Sequence, residues 1–228
     1  MSWEDEIEEW KASFSESIDK LKKDFPSECL NSLLGILKEF EGRGLYAVAI
    51  YHCGNYSGYL LPTVLCDEGL EVAAKKYVES DNLTLSELKS CLRWSPCDSP
   101  FHDLSHEFGF TKTMLHLDNI CGLMEELDSL LEEYDLYDDN DDSDEYIRAL
   151  LSIKGVLNNT IRQVLADSRF ESYRSSGGIV YLTCGDTSHE DITHNVSFVN
   201  GDFHAEKVSR ELDLASSLFI KRLKRAQR

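Results

Sequence analysis

Three stretches of this 228-residue chain gather side chains able to do chemistry. The first is Asp98, His102, Asp103, His106 and Glu107. Imidazoles and carboxylates this close are metal ligands in many sites, and His102 and His106 share a face if the segment is helical. Pro96, Pro100 and Gly109 interrupt such a helix and HExxH is missing, so the cluster reads as ordinary hydrogen-bonding histidines with no metal. The second is Cys184-Gly185-Asp186 followed by His189, Glu190 and Asp191, a thiol with a base nearby. No helix N-terminus or nucleophile-elbow pattern activates that thiol, and the run reads equally well as a hairpin turn. The third is Asp138-Asp139-Asn140-Asp141-Asp142. Counted from Asp138 as a calcium loop, it has Ser143 at the sharp-turn glycine and Ala149 at the closing glutamate, so it fails at both deciding positions. Neither GxxxxGK[ST] nor GxGxxG occurs, and Gly54 and Gly58 serve a turn. These patterns assign no catalytic residue, no metal and no cofactor.

The elements that must carry these stretches are arranged around Leu45 to Leu65. Leu45–Tyr51 is an unbroken apolar run of strand length, Cys53-Gly54-Asn55 supplies turn chemistry, and Tyr59–Leu65 returns. A strand without a polar face must be covered on both sides. Helices are available to do so. Ile7, Trp10, Phe14, Ile18, Leu21 and Phe25 recur at steps of three and four behind a Ser2 cap and an acidic first turn, and Pro26 is expected to end that helix. A second helix carries Leu30, Leu33, Leu34, Leu37 and Phe40 and stops at Gly42 and Gly44. Asp67 is the expected cap of a short helix bearing Leu70, Ala73, Ala74, Tyr77 and Val78, and 80–110 reads as an ordered connection.

Amphipathic helices follow at Met114–Tyr134 and Ser143–Ser168, an antiparallel pair with an acidic loop, 135–145, at its tip. Ile179–Leu182 reads as a strand, and the alternation of Ile192, His194, Val196 and Phe198 with polar neighbours reads as its hairpin partner. Asn200-Gly201 turns the chain into a last helix capped by Asp202, with the stripe Val208, Leu212, Ala215, Phe219 and Leu223. The expected architecture is therefore one α+β domain spanning 1–228. Two β-hairpins form a mainly antiparallel sheet of about four strands covered by several α-helices, and strand, turn, strand, cap, helix recurs at 45–79 and 178–223.

Forty-two acidic residues against 23 basic ones leave a formal charge of -19, which disfavours nucleic acid and anionic membrane and favours a cationic protein partner. The last eight residues hold five of the cations, Lys221, Arg222, Lys224, Arg225 and Arg228, where they complement a helix dipole. Seven scattered cysteines without a CxxC, an acidic start and no run of transmembrane length point to a reducing cytoplasm. Tyr134, Tyr137 and Tyr146 beside Asp139 and Asp142 give the acidic tip the composition of a docking element.

Leu92-Arg93-Trp94-Ser95-Pro96-Cys97-Asp98, with the strand Tyr46–Ile50 and the Gly185-Asp186 step, resembles an uncharacterised, mainly bacterial family catalogued as domain of unknown function 4303. Cys97 stands where that pattern has a small residue, and the acidic tip looks like a local insertion. The family brings no catalytic residues. What the resemblance implies is neutralisation of a secreted toxin. The leading expectation is a cytoplasmic, non-catalytic binding protein of the immunity type, an antitoxin that meets a basic toxin domain through Trp94, Asp98, Tyr134, Tyr137, Asp139 and Asp142. An enzyme with a pocket near Trp94, Asp98 and His102, and a housekeeping adaptor, are the alternatives.

Overall fold

A computed structural model describes residues 2–54, 59–78, 83–134, 136, 144–185 and 187–226. In chain order its elements are α1 (Trp3–Glu39), β1 (Leu45–His52), β2 (Leu60–Cys66), α2 (Asp67–Tyr77), α3 (Leu85–Leu92), α4 (Ser105–Phe108), α5 (Thr111–Glu133), α6 (Asp144–Leu165), α7 (Glu171–Ser175), β3 (Ile179–Thr183), α8 (His189–Asn200) and α9 (Asp202–Ala226). The fold is α+β but mostly helical, around a sheet of three strands.

The first hairpin forms as its pattern demands. β1 pairs antiparallel with β2, from Ala47 opposite Leu65 to His52 opposite Leu60. On its other side β1 pairs parallel with β3, from Ala47 opposite Ile179 to Tyr51 opposite Thr183, giving the order β2-β1-β3. Strand alternation divides the apolar residues between two cores. Val48, Ile50, Val64, Val180 and Leu182 join α1, α5 and α6 on one face. Ala47, Ala49, Leu65, Ile179 and Tyr181 join Trp94, α8 and α9 on the other. That two-sided cover is why these strands have no polar face.

The four-stranded, mainly antiparallel sheet is not what the chain builds. Residues 192–198, expected as a strand, lie in α8, so the second hairpin and the repeat of the first unit are absent. Helix signals outweigh the alternation: Ser188 caps the Asp191 N–H, Ile192, Val196 and Val199 bury at helical spacing, and Gly201 ends the helix at φ 91°. α8 then does for the free edge of β3 what a fourth strand would do. Asn200 accepts from the Val180 N–H at 3.0 Å and donates to its carbonyl at 2.7 Å, and Asn195 donates to the Leu182 carbonyl at 3.0 Å. At the opposite edge Val64 donates to the Phe101 carbonyl and Leu104 to that of Pro62, while Pro62 has no N–H to leave open.

α1 is a second correction, since it runs unbroken through Pro26. Proline forfeits one backbone bond inside a helix, at a cost of about 3 kcal/mol. The buried stripe continues through Phe25, Cys29, Leu33 and Ile36, and this packing outweighs the loss. α1 is fixed to α5 by polar contacts as well. Glu28 accepts from the Lys112 and Thr113 N–H groups at 2.8 Å, capping α5 from outside, and Trp10 Nε1 donates to the Leu123 carbonyl at 2.6 Å. The expected caps Asp67 and Asp202 are instead the first residues of their helices, and Cys66 caps α2.

Two outcomes follow. Asn200→Ala strands the Val180 N–H and carbonyl, so chemical denaturation should show a loss of about 2–4 kcal/mol. His52, buried at the end of β1, has its imidazole held down to about 4, first by burial, with nearby Lys154 adding to it and a backbone bond to Cys53 opposing it. The folded protein therefore binds this proton less readily than the unfolded chain does. Stability should fall by about 3 kcal/mol as pH drops from about 6.5 to about 4, and His52→Gln should remove that slope.

Candidate functional site

The start of α1, the end of α5 and the start of α6 meet around an open apolar groove of about 360 Å³. Trp3, Ile7, Leu131 and Leu136 form its floor, and Glu4, Glu8, Lys11 and Glu145 its rim. Trp3 remains 41% exposed although it sits in the first turn of a helix whose other aromatic residues are buried. A capping box fixes that turn, with Ser2 accepting from the Asp5 N–H and Asp5 from the Ser2 N–H. Glu4, Asp5 and Glu6 face the positive end of the helix dipole, so their charges concentrate here without unfolding the turn.

Among the described residues local cations offset this charge: Lys11 pairs with Glu8 at 2.9 Å, and Arg148 with Asp144 at 3.1 Å and Glu145 at 3.6 Å. Tyr134 donates to Glu6 at 3.3 Å. Its phenol is pushed up by burial and then by the Glu6 and Glu133 carboxylates, and so stays a neutral donor. Leu136 and Glu145, which bracket 137–144 in sequence, both line the groove. Tyr137, Asp139 and Asp142 lie outside the described residues.

Trp94 and Asp98 are brought to a different place. Trp94 is buried against the second core, edge-on to Tyr46 and Tyr181, and its indole N–H donates to Glu211 of α9 at 2.8 Å. Arg93 lies over the Tyr46 ring and donates to the same Glu211 carboxylate at 3.1 Å. Asp98 accepts from Ser95 at 2.6 Å and from Tyr77 at 2.8 Å, tying a short 3-10 turn to α2. The cavity between these groups holds about 10 Å³, room for a single water at most. The Arg-Trp-Ser-Pro stretch thus clamps α9, α3 and α2 to the sheet. His102 packs edge-on to Tyr51 and faces the Thr63 hydroxyl at 3.2 Å. Cys184 accepts from Thr187 at 3.1 Å, while the His189 ring faces Ser216 of α9 at 3.3 Å. Among the described residues no three His, Cys, Asp or Glu side chains could hold a metal ion.

Because 192–198 is helical, the chain has a further concavity that its alternating pattern does not reveal. α8 and α9 are joined at Gly201 and run antiparallel, leaving an open groove of about 1120 Å³. Glu190, Asp191, Asp202, Glu206 and Asp213 line it, against Lys154 and Arg210. The signal that finds it is the Ser188-x-x-Asp191 cap, which marks a helix where the alternation suggested a strand.

The chain matches no family model, no curated protein and no solved structure. Among the described residues no helix is long and apolar enough to cross a membrane. Functional assignment therefore rests on the geometry of these surfaces. Glu211→Ala removes the partner of a buried indole N–H and of Arg93 together; the expected loss is about 2–3 kcal/mol in chemical denaturation, with Trp94 fluorescence shifted to the red.

Proposed function

We propose that this chain is a non-catalytic binding protein of the immunity type, which neutralises a basic toxin domain by covering it. The observation that carries this reading is the groove at the helix ends, an exposed tryptophan on an apolar floor inside a carboxylate rim. This is the anatomy of a protein-binding surface, in which an apolar or aromatic centre supplies most of the energy and a charged rim steers the encounter. A net charge of -19 extends the attraction to a cationic partner beyond the contact itself. The resemblance carried by Leu92–Asp98 points the same way, and a cytoplasmic location belongs to the same reading.

The test is co-expression with any basic secreted protein that a neighbouring gene encodes, scored for a complex and for survival of the host. Absence of both removes the assignment. Within the complex, Trp3→Ala should weaken binding by about thirtyfold and change stability by less than about 0.5 kcal/mol. Glu4→Lys with Glu8→Lys should mainly slow association and flatten its salt dependence. A complex indifferent to all three substitutions would move the interface off this groove.

A further inference from the structure

We infer that the groove at the helix ends selects an arginine side chain of the partner protein, with its stem on the apolar floor and its guanidinium between Trp3 and the rim carboxylates. This rests on the reading of that groove as the toxin-facing surface and names the group it recognises. The lining asks for an occupant that is apolar along its length and cationic at its tip. Ile7, Leu131 and Leu136 supply the floor, Trp3 adds an aromatic ring and remains 41% exposed, and Glu4, Glu8 and Glu145 stand at the rim. An aliphatic side chain would cover the floor but cost the carboxylates their water without replacing it. An ammonium would meet the charge, but it is compact and strongly hydrated and cannot lie flat on a ring. A guanidinium stacks on an aromatic face and donates two parallel hydrogen bonds to one carboxylate, while its methylene stem covers apolar surface.

The chain builds this arrangement twice within itself. Arg43 lies 4.5 Å from the Phe40 ring and 4.7 Å from that of Phe101, and donates to both oxygens of Glu68, at 2.7 and 2.8 Å. Arg93 lies 4.1 Å from the Tyr46 ring and donates to Glu211 at 3.1 Å. At the helix ends the ring and the carboxylates are again in place, and the cation comes from the partner. The nearby cations are engaged along their own helices, Lys11 with Glu8 and Arg148 with Asp144 and Glu145. Among the described residues no cation lies over the Trp3 ring, and Glu4 forms no ion pair. From Trp3 to Lys11 the wall formed by α1 is about 12 Å long, which suits one long side chain as the anchor in preference to a whole packed helix.

The test titrates the isotope-labelled full chain with four short capped peptides that differ only at a central arginine, lysine, citrulline or leucine, and follows the tryptophan indole N–H signals by NMR. Trp10 and Trp94 donate inside the protein to Leu123 and Glu211 and serve as internal references. The arginine peptide should move the Trp3 signal alone and bind about threefold tighter than the lysine peptide or more, with the citrulline and leucine peptides weaker by about tenfold. Trp3→Leu, followed through the Ile7 and Leu131 methyl signals, keeps an apolar floor and should abolish the preference for arginine over lysine. Glu4→Gln should weaken the arginine peptide by about fivefold and leave the leucine peptide unchanged. No movement of the Trp3 signal with any peptide, equal binding of arginine and lysine, or leucine or citrulline binding as tightly as arginine would overturn the inference. The titration contains no toxin, so its failure beside an intact toxin complex removes the inference alone. Arginine selectivity without any toxin complex removes the immunity reading and leaves the site.

Discussion

A sheet of three strands with apolar residues on both faces has two faces and two edges to satisfy, and most of this molecule exists to satisfy them. The faces are covered by helices, as any such sheet requires. The edges are covered more economically. The Ser99–Leu104 segment lies along β2, with Ser99 donating to the Val64 carbonyl at 2.6 Å, and the amide side chains of Asn195 and Asn200 meet β3. Neither edge is left as a template for another chain.

Once the sheet is enclosed, the ends of long helices are the parts of the chain left to do something else. α1, α5 and α6 hold one core together along their lengths through Trp10, Glu28 and the apolar stripes, and expose Trp3 among acids where they terminate. α9 contributes Ala205, Val208 and Leu212 to the other core and then extends past it. The surface proposed for recognition thus lies at termini whose geometry is set by buried segments of the same helices. Charge sorts along the same lines, with carboxylates gathered at the start of α1 and around α8, and cations at the end of α9.

Much of this was legible in the sequence. The density of Leu45–Tyr51 and Ile179–Leu182 specified strands covered on both sides, and steps of three and four specified α1, α5, α6 and α9. Two misreadings share one cause, the weight given to a local rule against a longer pattern. Pro26 implies a helix end taken alone, but the stripe from Ile7 to Ile36 crosses it without losing phase. Ile192 to Phe198 alternates like a strand, yet Ile192, Val196 and Val199 fit a helix equally well and the caps at Ser188 and Gly201 decide between them. The role of Trp94 was beyond reach because its partner, Glu211, is 117 residues away in sequence. Trp3 went unremarked as a site because its exposure depends on where α5 and α6 end.

The claim on which the rest depends is that β1 is central and that 192–199 is helix completing the edge of β3. Amide hydrogen exchange followed by NMR tests it residue by residue. Slow exchange is expected at consecutive positions from Ala47 to Tyr51, at Val180, and without alternation from Val196 to Asn200. Protection at every second residue of β1, as in an edge strand, or alternating protection across 192–199, would contradict it.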